Sequence, residues 1–583
     1  MFSTCARCQA SLEVAKFLAL AAPEQGTNLA LALCQYFNYS SSCEKSYGPL
    51  VMGPILTQVV SFADVGGYDG QSICSNFLGL CPAPTTTTLN LTGWFAKPKP
   101  NPLPPPKQPS SQLLKVLHLS DLHIDPRARH LHVMRTAQRQ TAPAPSDTSR
   151  SCATICDAPY SLITSVLEAI PPLTGTESTG LDFTLFTGDM LAHDPDNQQS
   201  RAFTEYSQVV LYDLFKRMLG PGPTYATLGN HETCLPNLAS PLSLGGALGQ
   251  QFSWYNFSHQ FLFYALPHPL GYTTTLQRYG SKRDGFRRLP SSFRVLTMQH
   301  TLVKRADGLR VISLDTNLWY RSNYFNYINS SEPDVSGILR FLTDELQDAE
   351  DAGDRVWIIG HVISGWDGYN SLPHPTNLYV RSLDVKFILR GADVPSVDRF
   401  SPHVIANIFW GHTHEDQLSI FYANNGTNMS AETAQAVSWT GPSVTPLNNL
   451  NSGFRVYEVD SATFEVIEAY TWKSYVNDYP ALDSQTQFGP TFEFEYSTRE
   501  AYGGNITWGA TDPLNATWWH LVTEQMEADP TLMQTFNSYQ GKGSILTQPC
   551  TGECIPARIC YIRSGSSSIA KQNCVSGYGS VQY

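Results

Sequence analysis

KVLHLSDLH at residues 115–123 is the first of five apolar runs that each end in a polar cluster; the others are DFTLFTGD (182–189), TYATLGNHE (224–232), RVWIIGH (355–361) and VIANIFWGHTH (404–414). Short β-rich runs alternating with helical stretches, such as ILRFLTDELQDAEDAG, are typical of an α/β domain with a layered sheet. Open α/β sheets build their sites on the loops that follow strands. We therefore predict an α/β domain over residues 113–475, with its site at these five loops.

The polar clusters contain carboxylate, amide and imidazole groups, which are typical metal ligands. The candidates are Asp121, His123, Asp189, Asn230, His361, His412 and His414. Mixed oxygen and nitrogen ligands suit zinc or another borderline divalent ion rather than calcium. Seven ligands exceed the needs of one tetrahedral ion, so we predict two ions that share a carboxylate, with Asp189 as the bridge. Four of the ligands directly follow a glycine that allows a tight turn: Gly188, Gly229, Gly360 and Gly411.

Length and charge limit the remaining possibilities. A chain of 583 residues exceeds what one hydrophobic core usually organises, so several segments are expected. Lys and Arg number 38 against 50 Asp and Glu, a formal charge of -12, which is the wrong sign for a protein that binds a phosphate backbone. We therefore expect no nucleic-acid partner. No apolar run reaches the roughly 18 residues of a membrane-spanning helix, so none is predicted.

The segments on either side of the α/β domain have different compositions. Residues 1–84 read as short amphipathic helices with six cysteines, and residues 85–112 form a linker that contains KPKPNPLPPPKQP. This proline-rich stretch predicts a semi-rigid polyproline II spacer. Residues 476–583 contain four late cysteines and aromatic clusters, and we predict a mostly helical, disulfide-bonded subdomain there.

The clustered cysteines favour disulfides over zinc, because Cys5 and Cys8 have no second close pair to complete a tetrahedral site. Eight N-x-[ST] sequons, which are used only in exported proteins, indicate a secreted, lysosomal or vacuolar protein. They lie at Asn38, Asn90, Asn256, Asn329, Asn425, Asn428, Asn505 and Asn515. No basic-then-apolar leader precedes Cys5, so the chain is expected to lack its export signal.

The order DxH, GD, GNHE, GH and GHTH resembles the dinuclear metallophosphoesterase family. The six-cysteine helical segment, the proline linker, this block and the four-cysteine tail together resemble the acid sphingomyelinases, which begin with a saposin-like domain. Further matching stretches are INSSEPD (328–334), GHTHEDQ (411–417) and GPSVTPLNNLNSGFRVYEVD (441–460). The resemblance implies a metallophosphoesterase-type layered β-sandwich flanked by helices, preceded by an all-α saposin-like domain.

For the site, the resemblance implies two zinc ions: Asp121, His123, Asp189 and His414 hold one, and Asp189, Asn230, His361 and His412 hold the other. Such a pair would activate a water for in-line attack on a phosphodiester. The implied reaction is hydrolysis of a membrane phosphosphingolipid, most simply sphingomyelin, to ceramide and phosphocholine. The leaving alkoxide needs a proton, and His231 and His193 both resemble the family's acid candidates. Which of the two delivers the proton stays open.

The same resemblance implies peripheral contact with a lipid bilayer through the saposin-like domain, a monomeric state and five disulfides: Cys5–Cys81, Cys8–Cys74, Cys34–Cys43, Cys550–Cys554 and Cys560–Cys574. A further pair, Cys152–Cys156, would leave Cys234 as a free thiol. The sequence does not say whether the saposin-like domain stays docked or swings on its linker.

Two other functions remain open. A nucleotide phosphodiesterase of the same superfamily would use the same metal ligands, and a lipid-binding protein would use the helical domain alone. A purple acid phosphatase is disfavoured, because the position of its GDxxY tyrosine is occupied by Ala192. Isolated histidines such as His118 are expected to be core or surface residues, and His130 and His132 are expected to be solvated rather than ligands.

Overall fold

The computed structural model describes residues 3–38, 40–82, 84, 93–125, 157–194, 198–240, 293–295, 300–332, 334–365, 396–423, 426–479 and 491–582. The predicted disulfide Cys152–Cys156 and the pair His130 and His132 lie outside these residues.

Helices occupy both ends of the chain and alternate with strands between them. The helices are α1 Thr4–Ala21, α2 Gly26–Phe37, α3 Cys43–Tyr47, α4 Met52–Phe62, α5 Tyr68–Asn76, α6 Tyr160–Thr174, α7 Arg201–Met218, α8 Ile338–Ala352, α9 Ser396–Phe400, α10 Thr498–Tyr502, α11 Ala516–Ala528, α12 Pro530–Gln540, α13 Cys554–Ile562 and α14 Ser567–Asn573. The strands are β1 Leu113–Leu119, β2 Ile124–Asp125, β3 Ala158–Pro159, β4 Phe183–Phe186, β5 Thr224–Ala226, β6 Phe293–Val295, β7 Thr301–Lys304, β8 Leu309–Ser313, β9 Arg355–Ile359, β10 Ile405–Trp410, β11 Gln417–Tyr422, β12 Ala434–Thr440, β13 Ser452–Asp460, β14 Val466–Ser474 and β15 Glu493–Ser497.

Two mixed sheets form the central domain, and a short two-stranded sheet joins β2 to β3. The first sheet has the order β15-β14-β13-β1-β4-β5, and the second has the order β11-β12-β10-β9-β8-β7-β6. Strands β1, β4 and β5 run parallel to one another, as do β8, β9, β10 and β12. The carboxyl ends of the parallel strands carry all five polar clusters of the sequence.

Strand β1 shows why the sheets pack face to face. Val116 lies in the core between the sheets, and the next residue, Leu117, lies in a separate cluster on the outer face. Successive side chains of a strand point to opposite faces, so a strand that is apolar throughout must be covered on both sides. Between the sheets, the Phe183 ring lies 5.3 Å from that of Trp357. The predicted layered β-sandwich is confirmed.

Helices cover the outer faces of both sheets. Helices α6 and α7 bury apolar side chains on the first sheet, and α8 does so on the second. In α8 the buried residues Leu339, Leu342 and Leu346 recur at helical spacing, and Gly353 at positive φ ends the helix. This arrangement confirms the flanking helices expected from the sequence.

Helices α1–α5 form an N-terminal helical domain with the three expected disulfides, Cys5–Cys81, Cys8–Cys74 and Cys34–Cys43. The domain is docked on the sandwich domain: Val51 and Val59 share an apolar cluster with Phe325 and Ile328. Burying a side chain of this size contributes about 1.5–3 kcal/mol, so the contact is a substantial one.

The linker also lies against the sandwich domain. Trp94 and Phe95 pack on the cluster beside α8, and the ammonium group of Lys97 lies 2.6 Å from the Asp351 carboxylate. At the far end, the Asp460 carboxylate accepts hydrogen bonds from the backbone N–H groups of Ser110 and Ser111. The predicted spacer is therefore attached at both ends.

The C-terminal segment is helical, as expected, and carries the two predicted disulfides Cys550–Cys554 and Cys560–Cys574. It also adds β15 to the edge of the first sheet, which the sequence did not predict. Its Trp518 and Trp519 are almost fully buried in the core between the sheets. Within the described residues, no helix is long and apolar enough to cross a membrane.

Candidate metal centre

The five loops follow strands of both sheets, and they bring the seven candidate ligands together. Each ligand follows its strand within a few residues, as the sequence predicted. Among these seven, two groups of side chains have ligand atoms within 4.8 Å of one another: Asp121, His123 and His414, and Asp189, His361 and His412.

Asp189 lies between the two groups. Its Oδ2 atom is 3.3 Å from Nε2 of His123 in the first group and 3.1 Å from Nε2 of His361 in the second. Asn230 completes the second group, because its Oδ1 atom lies 2.9 Å from Nε2 of His361 and 3.0 Å from Nδ1 of His412. Asp189 thus lies within reach of both groups, where a carboxylate shared by two ions would have to lie.

The ring nitrogens show that this cluster fits cations. Nδ1 of His123 donates to the Leu191 carbonyl oxygen (2.6 Å), and Nδ1 of His414 donates to that of Leu447 (2.5 Å). In the neutral ring, Nε2 therefore carries a lone pair, and the two Nε2 atoms face each other at 3.1 Å. His361 repeats the pattern, since its Nδ1 donates to the Thr187 carbonyl (2.7 Å) and its Nε2 faces oxygen acceptors. Facing lone pairs repel unless a cation lies among them.

The backbone around the ligands is strained in a consistent way. Five ligand residues have positive φ angles, which non-glycine residues rarely adopt: Asp121, His123, Asp189, His412 and His414. Gly188, which precedes Asp189, has φ 94°, and a Cβ atom there would lie 2.6 Å from the backbone nitrogen of Gly229. Residues in such conformations cluster at functional sites, where the surrounding structure compensates for the strain.

Electrostatics at the centre favour positive charge. Burial alone would lower the pKa of His123, but the hydrogen bond and charge of Asp189 outweigh it and raise the pKa to about 9. For His361 burial is again outweighed by Asp189, and the pKa rises to about 9. Burial lowers the pKa of His412 to about 3, which keeps that ring neutral and able to coordinate. The carboxylates that stabilise an imidazolium would equally stabilise a divalent cation.

The two acid candidates lie beside the ligands. The ring centroid of His193 is 4.2 Å from that of His231 and 4.1 Å from that of His123. Nδ1 of His193 donates to the Asp157 carboxylate at 2.9 Å, while 36% of the His193 side chain is exposed. His231 is buried, its backbone N–H donates to Asp189 (2.8 Å), and its Nδ1 has no hydrogen-bond partner within the described residues. His193 therefore faces the solvent side, and His231 lies deeper.

Sequence reasoning missed a buried chain of hydrogen bonds behind Asp121. His118, expected to be an ordinary core histidine, bonds through Nδ1 to the Tyr457 hydroxyl (3.0 Å) and through Nε2 to that of Thr187 (3.0 Å). Thr187 donates to the Ser120 hydroxyl (2.7 Å), which donates to Asp121. The position of His118 three residues before Asp121 was the available signal, but only the sheet pairing brings Thr187 beside it.

Glu232 and Asp157 also contact the residues of the site. The Glu232 carboxylate accepts from the backbone nitrogens of Met190 (2.7 Å) and Gly229 (2.5 Å), so it joins two ligand loops. Burial, followed by the charge of Asp189, raises the pKa of Glu232 to about 7. No motif marks Asp157, because its role depends only on its contact with His193.

Comparison with known proteins agrees with this geometry. The sequence profile of the calcineurin-like phosphoesterase family matches residues 114–416, more than half of the chain. Sphingomyelin phosphodiesterase B of Dictyostelium discoideum is 27% identical over 565 residues, which cover 93% of this chain and 77% of that protein. Human sphingomyelin phosphodiesterase is 29% identical over 427 residues, 70% of this chain and 55% of that protein.

A human acid sphingomyelinase-like phosphodiesterase 3b is 25% identical over 464 residues, 77% of this chain and 87% of the relative. Among solved structures, a dimetal phosphatase from Danio rerio matches 67% of this chain and 100% of its own chain at 11% identity, with a TM-score of 0.32. The chain thus spans little more than half of the human sphingomyelin phosphodiesterase but most of the other two relatives. The resemblance to acid sphingomyelinases is confirmed. Given the profile match across the five loops that hold its metal-ligand cluster, this chain belongs to the calcineurin-like phosphoesterase family.

Proposed function

We propose that this phosphoric diester hydrolase cleaves a membrane phosphosphingolipid, most simply sphingomyelin, to ceramide and phosphocholine. One observation carries the proposal: a buried cluster of metal-type ligands and a docked helical domain with exposed apolar side chains occur in the same chain. The names of the relatives, which are sphingomyelin phosphodiesterases, support the same substrate.

Two zinc ions are the proposed cofactors. Asp121, His123 and His414 would hold one, His361, Asn230 and His412 would hold the other, and Asp189 would contact both. Bound there, the ions would supply the positive charge that activates a water and stabilises the phosphoryl oxygens. A set of imidazole nitrogens with carboxylate and amide oxygens suits zinc better than calcium.

His193 is the better candidate for the proton donor to the ceramide oxygen. Its ring is oriented by Asp157 through Nδ1, so Nε2 is the atom left for the substrate. The Asp157 carboxylate holds the orientation of the ring, as general acid catalysis requires. His231, which is buried and whose Nδ1 has no hydrogen-bond partner among the described residues, would hydrogen-bond the phosphoryl group from the inner side.

The N-terminal helical domain is the proposed membrane contact. On α1, Val14, Phe17 and Leu20 are 68%, 74% and 64% exposed, and Tyr36 and Leu50 are more exposed still. Val14, Phe17 and Leu20 are spaced three residues apart and so lie along one side of α1, and exposed apolar surface of this kind marks interaction sites. Apolar burial rather than a polybasic patch would supply the binding energy.

We also propose that the protein is a monomer and that it resides in an oxidising compartment, as a secreted, lysosomal or vacuolar protein. Five disulfides and the exposed sequon residues Asn38, Asn329, Asn428 and Asn505 support export. A mass shift on enzymatic deglycosylation of the protein from its native source would test export. Light scattering, which measures the molar mass in solution, would test the monomeric state.

Assays with sphingomyelin vesicles and with a soluble nucleotide diester, before and after chelation and zinc addition, test the function. We expect zinc-dependent release of phosphocholine from the vesicles. Turnover of the nucleotide ester alone would instead identify a nucleotide phosphodiesterase. A protein that binds zinc and vesicles but turns over neither substrate would be a lipid-binding protein.

A further inference from the structure

Residues far along the chain hold the loop that carries His412 and His414. We call residues 412–416 the ligand loop. Two C-terminal stretches, 540–542 and 580–582, contact four of its five residues: Gln582 donates to the Thr413 carbonyl, Lys542 to the His414 carbonyl, Ser580 to the Glu415 carboxylate, and the Asp416 N–H donates to the Gln540 carbonyl.

Lys542 is the most unusual of these residues, because its side chain is fully buried. Its ammonium group donates three hydrogen bonds: to the His414 carbonyl (2.9 Å), to the Ser443 carbonyl (3.1 Å) and to the Ser443 hydroxyl (2.6 Å). These use all three of its N–H groups. Within the described residues, no carboxylate lies within 4.0 Å of it to form an ion pair. Its three hydrogen-bond partners are all neutral, and burying an ammonium group away from water costs several kcal/mol that an apolar side chain would avoid.

The contacts of Lys542 join two loops at the first group of ligands. Ser443 donates its N–H to the His414 carbonyl (3.3 Å), and two residues later the Thr445 N–H donates to the Asp121 carbonyl (3.0 Å). His414 itself has φ 61°, a conformation that persists only with outside support. The ammonium group supplies that support, because it anchors the His414 carbonyl while Nε2 of the same residue faces His123 at 3.1 Å.

We propose that Lys542 is a positioning residue for the first metal position: it holds the His414 backbone so that Nε2 points at the ion shared with Asp121 and His123. The inference rests on the proposed two-zinc function. Lys542 touches neither substrate nor ion, so its removal should weaken zinc binding at one position and leave His361 and His412, in the other group, unaffected.

Lys542→Met, which keeps an unbranched side chain only one atom shorter and removes the charge, tests the inference on the full-length protein. Lys473→Met is the matched control: Lys473 is also buried, lies near the same C-terminal segment and pairs with Glu495 at 3.2 Å, but has no contact with the ligand loop. Zinc content after dialysis against graded chelator is the main measurement. We expect wild type and Lys473→Met to retain two zinc ions per chain, and Lys542→Met to retain one, with the second bound about 10–100-fold more weakly.

Activity gives an independent measurement. At a low buffered zinc concentration, Lys542→Met should have a lower kcat than wild type and an unchanged KM. A zinc concentration about 10–100-fold higher should restore kcat, whereas added zinc would not restore a misfolded protein. If Lys542→Met does not fold, Lys542→Gln can be used instead. It keeps a hydrogen-bond donor near the His414 carbonyl and should lose less zinc affinity than Lys542→Met is expected to lose.

The inference would be overturned if the Lys542 variants bind two zinc ions at wild-type affinity. It would also be overturned if Lys542→Met and Lys473→Met lose zinc affinity equally. A wild-type protein that retains a single ion would instead contradict the two-zinc proposal. In that case the inference stands only if Lys542→Met weakens that one ion more than Lys473→Met does.

Discussion

Polar side chains are usually exposed and apolar side chains usually buried, and two regions of the molecule reverse this pattern. The metal-ligand cluster buries polar side chains, whereas the N-terminal helical domain exposes apolar ones. Asp121, His123 and His361 are polar and fully buried, whereas Phe17 and Leu50 are apolar and 74% and 92% exposed. A buried polar group must find partners, and those partners come from distant parts of the chain. An exposed apolar group needs no partner within the protein. The cluster should therefore respond to mutation as a unit, and the exposed surface should respond one residue at a time.

The largest effect is expected from His361→Ala. The variant removes one proposed ligand and a contact of Asp189, so we expect one zinc ion to be lost. Loss of a residue that only supports a metal ligand typically lowers metal affinity or activity about 10–100-fold. Because His361 is itself a proposed ligand, turnover should fall by more than that. Vesicle flotation should be unchanged, since the helical domain is intact. His403→Ala, which removes a histidine that contacts only Glu350 among the described carboxylates, is the control. Parallel loss of vesicle binding would contradict the separation of the two regions.

His193→Gln should lower kcat by about 10²–10⁴-fold, the range for loss of a general acid, while zinc content stays at the wild-type level. Asp157→Asn should lower kcat less, because it disturbs only the orientation of the His193 ring. Stopped-flow assays on a substrate with an activated leaving group provide a second measurement, because such a group needs no proton. If His193→Gln is equally slow on that substrate, His193 is not the acid.

Phe17→Ser should weaken binding to sphingomyelin vesicles by up to about 30-fold, which corresponds to about 2 kcal/mol of lost apolar transfer. Hydrolysis of a soluble diester should not change, because α1 contributes nothing to the metal centre. Tyr206→Ser on α7 is a matched control, as Tyr206 is also an exposed aromatic residue (58%) but belongs to the sandwich domain. Equal effects of the two substitutions would show that α1 is not the membrane contact.

Asp69→Ala tests how the two regions are held together. The buried carboxylate accepts hydrogen bonds from the backbone nitrogens of Asn329 (3.0 Å) and Ser330 (2.7 Å) and from the Ser330 hydroxyl (2.6 Å). Leaving these donors unpaired should cost about 1–3 kcal/mol and loosen the docked domain. Hydrogen exchange should then increase in α5 and around Asn329. Asp213→Ala on α7, which breaks an exposed ion pair, should leave exchange there unchanged.

The smallest effect concerns acid tolerance. Burial would raise the pKa of Glu350, but hydrogen bonds from Arg399 and His403 outweigh it and lower the pKa to about 2 from the ordinary value of 4.5. A carboxyl group whose pKa is lowered by folding stabilises the protein above its unfolded pKa and loses that contribution as pH falls through its folded pKa. The free energy of unfolding, measured in urea, should therefore differ between wild type and Glu350→Gln by the same amount at pH 7 and at pH 5. This difference should become smaller between pH 4.5 and about 2. A difference that already disappears at pH 5 would contradict this assignment.

Local patterns were enough to predict much of the fold. The five strands that precede the ligands, the helices of both end segments and all five disulfides that the structure describes agree with expectation. Strand β15 was missed because EFEYS alternates charged and aromatic residues at a sheet edge, where only pairing with β14 distinguishes a strand from a loop. The docking of the helical domain was also undecided, since Val51 and Phe325 find each other only in the folded chain.

By itself, the sequence determined which side chains are available as ligands, because each stands directly after an apolar strand and most follow a glycine, and these features are local. The tertiary structure alone decided what supports those ligands: His118 behind Asp121, Asp157 beside His193, and Lys542 beneath His414. Lys542 and His414 are 128 positions apart, and no periodicity or spacing encodes a contact over that distance. Buried polar groups must be satisfied wherever the packed chain brings partners to them, so their roles appear only once the whole fold has formed.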